Sequence, residues 1–254
     1  MAGGFSDVRA SAGIATDPDT NTCYLSGMAM WLFILAPVVA AAMGATIAVI
    51  RPPGITLTSA IQHFTAGVVF AAAAGEILPD LKHQGFWPVI LGSVAGVLAM
   101  LAVKSLETST RGSVSLLVAV GVDVFIDGLV LGLGFVAGQR EGLLLTIALT
   151  LEILFLGLAV TTELAETSRS KLAVVGTTVG LSLLLPVGAA VAIPISGMPQ
   201  PVITAFFAFG LVALLYLVTE ELLVEAHAEP DRPWVAAMFF AGFLLLFMLE
   251  QAIA

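Results

Sequence analysis

The stretch that decides the fold is VGVDVFIDGLVLGLGF, residues 120–135, in which fourteen of sixteen positions are aliphatic, phenylalanine or glycine. Apolar residues continue on both sides, so the run extends over residues 112–137. A run of 18 or more apolar residues is typical of a helix that crosses the hydrocarbon core of a membrane. Asp123 and Asp127 interrupt it four residues apart, so both lie on one face of that helix. The stretch therefore predicts a transmembrane helix with two carboxylates on one side.

The rest of the chain has the same character. Its 254 residues are 59% hydrophobic and only 11% charged, and the mean hydropathy is +1.08. These values exclude an ordinary soluble protein. Eight runs are long enough to span a bilayer: residues 28–50, 59–81, 86–106, 112–137, 140–166, 171–195, 199–227 and 232–253. We therefore expect an all-α, multi-pass integral protein of the cell (inner) membrane.

The basic residues predict how these helices are oriented. With the N-terminus outside, six of the nine basic residues fall on the cytoplasmic side: Arg51, Lys104, Arg111, Arg169, Lys171 and Arg232. Arg9, Lys82 and Arg140 then fall outside. An excess of Lys and Arg marks cytoplasmic loops. The distribution thus favours an N-out topology and, with eight spans, a C-out one.

The chain reads as one transport domain preceded by a short tail. Residues 1–27 are polar and lack the basic and apolar order of a cleavable signal peptide, so we interpret them as an extracytoplasmic tail before the transmembrane domain of residues 28–254. Cys23 is the single cysteine, which excludes an intrachain disulfide. The net charge of −9 argues against nucleic acid as a partner, while the spans require membrane lipid.

Carboxylates in the middle of the membrane indicate function. Asp123 and Asp127 lie about halfway along the fourth span, and Glu152 lies about halfway along the fifth, at the same depth if the two helices are antiparallel. An ionised carboxylate at mid-membrane costs about 3 kcal/mol on insertion scales. All nine basic residues lie at span ends or in loops, so a buried salt bridge does not explain the three acids. What remains is a bound cation, a proton path, or both.

Other ionisable residues lie nearer the two membrane faces. Glu76 and Asp80 are one turn apart near the predicted outer end of the second span, where they are candidates for a cation entry. A larger set lies near the predicted inner ends of spans and forms the candidate exit: Glu163, Glu166, Glu220, Glu221, Glu225, His63 and His227. A solvated helix end explains each cluster equally well by itself. Together with the mid-depth acids, they describe a route for a cation.

At these residues the chain resembles the ZIP family of divalent metal transporters. The segment DVFIDGL (123–129) is similar to the family's fourth-helix pattern, His-Asn-x-x-(Asp/Glu)-Gly-Leu, and EILFLGLAV (152–160) is similar to its fifth-helix pattern. LPD (78–80) and LYLVTEELLVEAH (215–227) also resemble family segments. The resemblance covers the second to eighth spans. It implies a ZIP-like bundle that moves zinc, manganese, iron or a similar ion.

The site positions that the resemblance implies have altered chemistry. Asp123 stands where the family has histidine, Asp127 keeps the carboxylate, and Glu152 replaces histidine or glutamine. ZIP proteins hold two adjacent metals at mid-membrane. The positions of the second metal are all aliphatic here: Val124, Ile153, Leu156 and Leu185. The comparison predicts a divergent bacterial member with a single metal site made of carboxylates.

The ligand type bears on the choice of ion. Zinc favours histidine and cysteine, whereas ligand sets made only of oxygen suit harder ions such as Mn²⁺, Mg²⁺ or Ca²⁺. No histidine lies near mid-depth in the predicted spans. We therefore expect Mn²⁺ to compete with Zn²⁺ better than it does at sites that contain histidine.

Three other functions stay open at the level of sequence. A proton-linked carrier has titrating acids without a metal, and a ZIP-like sensor or homologue does not transport. An intramembrane aspartyl protease needs its aspartates on two helices, one in a Gly-x-Gly-Asp setting, and VGVD lacks the first glycine. We expect a metal transporter and not an enzyme, and a homodimer is one possible assembly.

Overall fold

The computed structural model describes residues 20–109, 113–167, 170–227 and 233–253, and every element in them is helical. Eight of these helices are long and apolar enough to cross a membrane. The prediction of an all-α, multi-pass membrane protein is therefore confirmed.

The helices are labelled α1 to α8 in chain order. Five of them are continuous: α1 (Thr20–Ile50), α3 (Phe86–Ser109), α4 (Ser113–Ala137), α5 (Gln139–Thr167) and α8 (Pro233–Ile253). Three are interrupted: α2 (Ile55–Ala72, Ala73–Ile77, Leu78–Leu81), α6 (Lys171–Ser182, Leu184–Ser196) and α7 (Gln200–Tyr216, Leu217–Leu222, Leu223–Ala226).

The start of α1 differs from the predicted span. The helix begins at Thr20, eight residues before the apolar run at residue 28 and inside the predicted polar tail. Hydropathy marks where a helix enters lipid rather than where its hydrogen bonds begin, and no proline follows Pro18 until Pro37. Residues 1–19 of the predicted tail lie outside the described residues.

A proline accounts for the interruption in α6. Pro186 lacks the N–H that would donate to the carbonyl of Ser182, four residues earlier. The helix is broken at Leu183, one residue after that carbonyl, and resumes at Leu184.

The middle segments of α2 and α7 are π-helical. The N–H of Leu78 donates to the carbonyl of Ala73 and that of Leu223 to the carbonyl of Val218, each five residues earlier rather than four. A π turn adds one residue to the helix and rotates the side chains that follow, and such turns are frequent at functional sites. Each of these two turns carries at least one glutamate.

The contacts between helix ends define the two faces of the bundle. The face that contains the α1–α2 turn is called the Arg51 face. The end of α7 contacts the start of α2 there, and the Ser59 hydroxyl donates to the carbonyl of Ala226 at 2.8 Å. The opposite face, called the Gly138 face, contains the α4–α5 junction. Thr204 at the start of α7 donates there to the Gln84 side chain after α2 at 3.1 Å. Successive helices therefore run in opposite directions.

The helices pack as two groups. The first contains α1, α4, α5 and α6, with α1 against α5 and α4 against α6, and the second contains α2, α3, α7 and α8, with α2 against α8 and α3 against α7. The groups meet mainly where α4 and α5 contact α2, α3 and α7. The central pair α4 and α5 thus lies between its own group and the other one.

Glycines bring the helices within each group into close contact. A Cβ at Gly128 of α4 would overlap the backbone carbonyl of Leu185, and a Cβ at Gly188 of α6 would overlap that of Phe125. Helix association in membranes depends on such close approach, because lipid supplies no hydrophobic driving force between helices. Gly67 of α2 meets the backbone of α8 in the same way. Each group is therefore held together backbone against backbone.

Candidate metal centre

Three carboxylates converge at the contact between α4 and α5. Asp123, Asp127 and Glu152 each offer an oxygen, and these oxygens all lie within 4.8 Å of one another. The i to i+4 spacing puts both aspartates on one face of α4, and the antiparallel packing of α5 brings Glu152 to the same depth. The structure thus brings together the three residues that the sequence predicts as metal ligands.

These acids are deeply buried. The exposed fractions are 6% for Asp123, 1% for Asp127 and 3% for Glu152. Oδ2 of Asp127 and both carboxylate oxygens of Glu152 are buried without a hydrogen-bond partner among the described residues. A buried carboxylate without partners is strongly destabilising unless a proton or a cation compensates its charge. Carboxylate oxygens are the ligands that hard divalent cations prefer. The cluster therefore has the donors and the unmet charge that a cation site requires.

A cavity connects the cluster to the Arg51 face. It has a volume of about 90 Å³ and is lined by Asp123 and Glu152 at its deep end. A second cavity of about 260 Å³ shares Phe155 and Ala159 with the first and reaches Pro53 in the α1–α2 turn. Asp127, the most buried of the three acids, lies behind this opening.

Further acids line the same cavity. Glu163 of α5 and Glu221 and Glu225 of α7 form its wall together with Asp123 and Glu152. Glu221 lies close enough to act electrostatically on both Asp127 and Glu152. Three of the seven residues predicted for the exit therefore face one cavity that leads to the carboxylate cluster.

The other predicted exit residues have different positions. Glu220 is exposed, and its backbone carbonyl accepts a hydrogen bond from Lys104 Nζ at 3.1 Å. The side chain of Glu166 lies outside the described part of the chain. Glu220 and Glu221 are neighbours in the π turn of α7 and point in different directions, so Glu221 lines the cavity and Glu220 does not.

The two histidines contact each other at the rim. The rings of His63 and His227 are 4.7 Å apart, and each Nδ1 donates to a backbone carbonyl, that of Ser59 at 2.9 Å and that of Leu223 at 2.6 Å. Because a carbonyl only accepts, this contact places a hydrogen on Nδ1 and directs Nε2 away from the backbone. Gln62 donates to Glu225 at 2.8 Å beside them. This polar rim links α2 to α7 at the mouth of the cavity.

The residues predicted for the entry lie at the Gly138 face. Glu76 is 8% exposed in the π turn of α2, and Asp80 is half-buried one turn further. Arg140, Glu141 and Glu250 are close enough to act electrostatically on Glu76. The structure thus places the predicted entry acids far from the open cavity, in a cluster that also holds a basic residue.

The four positions at which the ZIP resemblance implies ligands of a second metal carry aliphatic side chains. Val124, Ile153 and Leu156 line one small void of about 10 Å³ beside the acids, and Leu185 is fully buried. A void of this size barely admits one water molecule. The hydroxyl-bearing Thr178 and Ser182 also line this void, while the three aliphatic side chains supply no ligand atoms.

The sequence did not predict that Arg140, Glu141 and Glu250 lie in one cluster with Glu76. Arg140 and Glu141 open α5, and Glu250 lies in the last turn of α8. The available signal was topological, because the start of the fifth span and the end of the eighth share one membrane face. Which ends are neighbours at that face does not follow from the spans alone.

Comparison with known proteins leaves the family open. No protein-family model matches the chain, and no curated protein matches it at a significant level.

Proposed function

We propose that the protein carries a divalent cation across the membrane through a single site formed by Asp123, Asp127 and Glu152. The observation that supports this most directly is the convergence of three buried carboxylates, each with one oxygen within 4.8 Å of an oxygen of the other two. Oδ2 of Asp127 and both carboxylate oxygens of Glu152 have no hydrogen-bond partner among the described residues. The cavity lined by further carboxylates supplies a path to one face. The resemblance of the motifs in α4 and α5 to those of ZIP transporters supports the same function.

The chemistry of the site accounts for both binding and release. Three carboxylates carry a charge of −3 when ionised, which exceeds the charge of one divalent ion. The site therefore accepts a proton as the metal leaves, and acidification weakens metal binding because protons and metal compete for the same oxygens. The acids at the end of the cavity then offer successive weaker positions toward the Arg51 face. The basic residues predict that this face is cytoplasmic, so the cation moves inward.

The ligand set also determines which ions are accepted. Oxygen ligands without imidazole or thiolate discriminate less in favour of Zn²⁺, so Mn²⁺ binds at concentrations nearer to those of Zn²⁺. Val124, Ile153 and Leu156 supply no ligand atoms for a second ion, which favours a single bound ion.

Direct metal binding to the purified protein tests the proposal. Equilibrium dialysis with Mn²⁺ or Zn²⁺ should give one bound ion per chain, and proteoliposomes should take up the same ion. Asp127→Asn keeps the shape of the side chain and removes its charge, so we expect affinity and uptake to fall about a hundredfold or more. Glu220→Gln is the matched control, because it also removes one carboxylate charge but lies outside the cavity wall.

Three results would contradict this function. If Asp127→Asn binds and transports metal like the parent protein, the assignment of the site to Asp127 is wrong. Two tightly bound ions per chain contradict the single-site arrangement. Proton flux without any metal binding assigns the acids to a proton-linked carrier instead.

A further inference from the structure

An ion pair joins the two helix groups at the Gly138 face. Arg140, at the start of α5, belongs to the first group, and Glu250, near the end of α8, belongs to the second. A guanidinium nitrogen (Nη2) of Arg140 lies 3.5 Å from Oε1 of Glu250 and donates to the backbone carbonyl of Glu250 at 3.1 Å. The same arginine thus contacts the side chain and the backbone of the partner helix.

The glutamate of this pair also contacts a third helix. Gly75 lies in the π turn of α2, and a Cβ placed on it would stand 3.0 Å from Oε2 of Glu250. The Glu250 carboxylate therefore lies between Arg140 and the π turn, next to Glu76. A larger side chain at position 75 would stand tightly against this carboxylate, which would have to shift.

The contact is not fully satisfied in this conformation. Nε of Arg140 is buried without a hydrogen-bond partner among the described residues. An unpaired buried donor reduces the net stability of the contact. The Arg140 and Glu250 side chains are 37% and 28% exposed, so solvent also weakens their attraction. These features describe a pair that holds two surfaces together but separates at modest cost.

The region between this pair and the metal centre is closed. Val130, one turn beyond Asp127 on α4, is 1% exposed and packs against Gly210 of α7. This contact again joins the first group to the second. Access to the acids from the Gly138 face therefore requires α4 and α5 to move away from α7 and α8, and that movement separates Arg140 from Glu250.

We propose that the Arg140–Glu250 pair is a latch that keeps the Gly138 face closed while the cavity is open at the Arg51 face. The proposal rests on the proposed carrier function, because a carrier must expose its site to each side in turn. Loss of either charge shifts the protein toward the conformation that is open at the Gly138 face.

Thiol labelling measures this shift without any metal. Cys23 is the single cysteine, so Cys23→Ser provides a background without thiols. Val130→Cys reports opening at the Gly138 face, and Ala159→Cys reports the cavity at the Arg51 face. In nanodiscs with a water-soluble maleimide, Arg140→Gln and Glu250→Gln should each raise the labelling rate at position 130 about fivefold, within the range measured for solvent-accessible ion pairs.

The controls separate a latch from general loosening. Labelling at position 159 should not rise in the same variants, whereas a loosened bundle would label faster at both positions. The charge-exchanged protein, Arg140→Glu with Glu250→Arg, should return labelling at position 130 toward the parent rate. Arg51→Gln removes a charge at the other face and should leave it unchanged.

Two outcomes would overturn the latch. Labelling at position 130 that equals the parent rate in both Arg140→Gln and Glu250→Gln shows that the pair does not hold this face closed. Faster labelling at both reporters shows that the pair only stabilises the bundle. Failure of the carrier function is read separately, from metal binding in Asp127→Asn.

Discussion

The π turns of α2 and α7 are the same local device at opposite faces of the membrane domain, and their surroundings differ. In α7 the turn carries Glu221 into an open cavity that is also lined by Asp123 and Glu152. In α2 the turn carries Glu76 into a cluster closed by Arg140 and Glu250. The difference shows that a π turn aims a carboxylate toward the interface between the helix groups, while the packing of the groups decides whether water and ions reach it.

Blocking the open side should have the largest effect. Ala159 lines both cavities at the Arg51 face, so Ala159→Trp fills the path with an indole ring. We expect proteoliposome uptake to fall to background while the protein remains folded, because position 159 borders empty space. Ala165→Trp, on an exposed position of the same helix, is the matched control. Normal uptake in Ala159→Trp would mean that the ion leaves by another route.

A charge change in the π turn of α7 should have an intermediate effect. Glu221→Gln removes a carboxylate that acts on Asp127 and Glu152, so we expect metal affinity to fall about tenfold, which corresponds to about 1.4 kcal/mol. Glu220→Gln should stay within about twofold, since an exposed charge contributes little. Equilibrium dialysis on the purified variants measures both. Equal effects of the two substitutions would contradict the assignment of Glu221 to the cavity wall.

The corresponding change in α2 should have the smallest effect. Glu76→Gln alters a carboxylate at the closed face, far from the open cavity. We expect the metal concentration for half-maximal uptake to rise only about two- to threefold, since the interaction of a charge with the ion weakens with distance. Metal affinity in equilibrium dialysis should stay unchanged. A loss of affinity as large as that of Glu221→Gln would show that the two turns do not differ in access as the structure indicates.

Most of the fold was predictable from composition and length. A run of about 20 apolar residues must cross the bilayer as a helix, because unpaired backbone groups are too costly in lipid. The eight predicted spans therefore match the eight helices to within a few residues at most ends. The start of α1 and the π turns in α2 and α7 were not predicted, because they depend on individual hydrogen bonds rather than on hydropathy. The break in α6 follows from Pro186, which is visible in the sequence.

The meeting of the three mid-membrane carboxylates was predictable for a different reason. Carboxylates without nearby basic residues are so costly in mid-membrane that Asp123, Asp127 and Glu152 stand out in the chain itself, and the helical period places the two aspartates together. That Glu152 meets them follows from equal depth on consecutive antiparallel helices. The two aspartates are one helical turn apart, and Glu152 lies on the next helix along the chain. The sequence around them therefore contains the information for these contacts.

Tertiary structure alone decided which ends and which faces meet. Arg140 and Glu250 are 110 residues apart, and Gln62 and Glu225 are 163 apart, so their contacts depend on how the two helix groups pack. Whether Glu220 or Glu221 faces the cavity depends on the rotation of α7 about its axis, which a single π turn changes. In lipid these choices are made by close backbone contacts such as those at Gly128 and at its partner on α6, because every face of these helices is apolar enough to be buried or exposed.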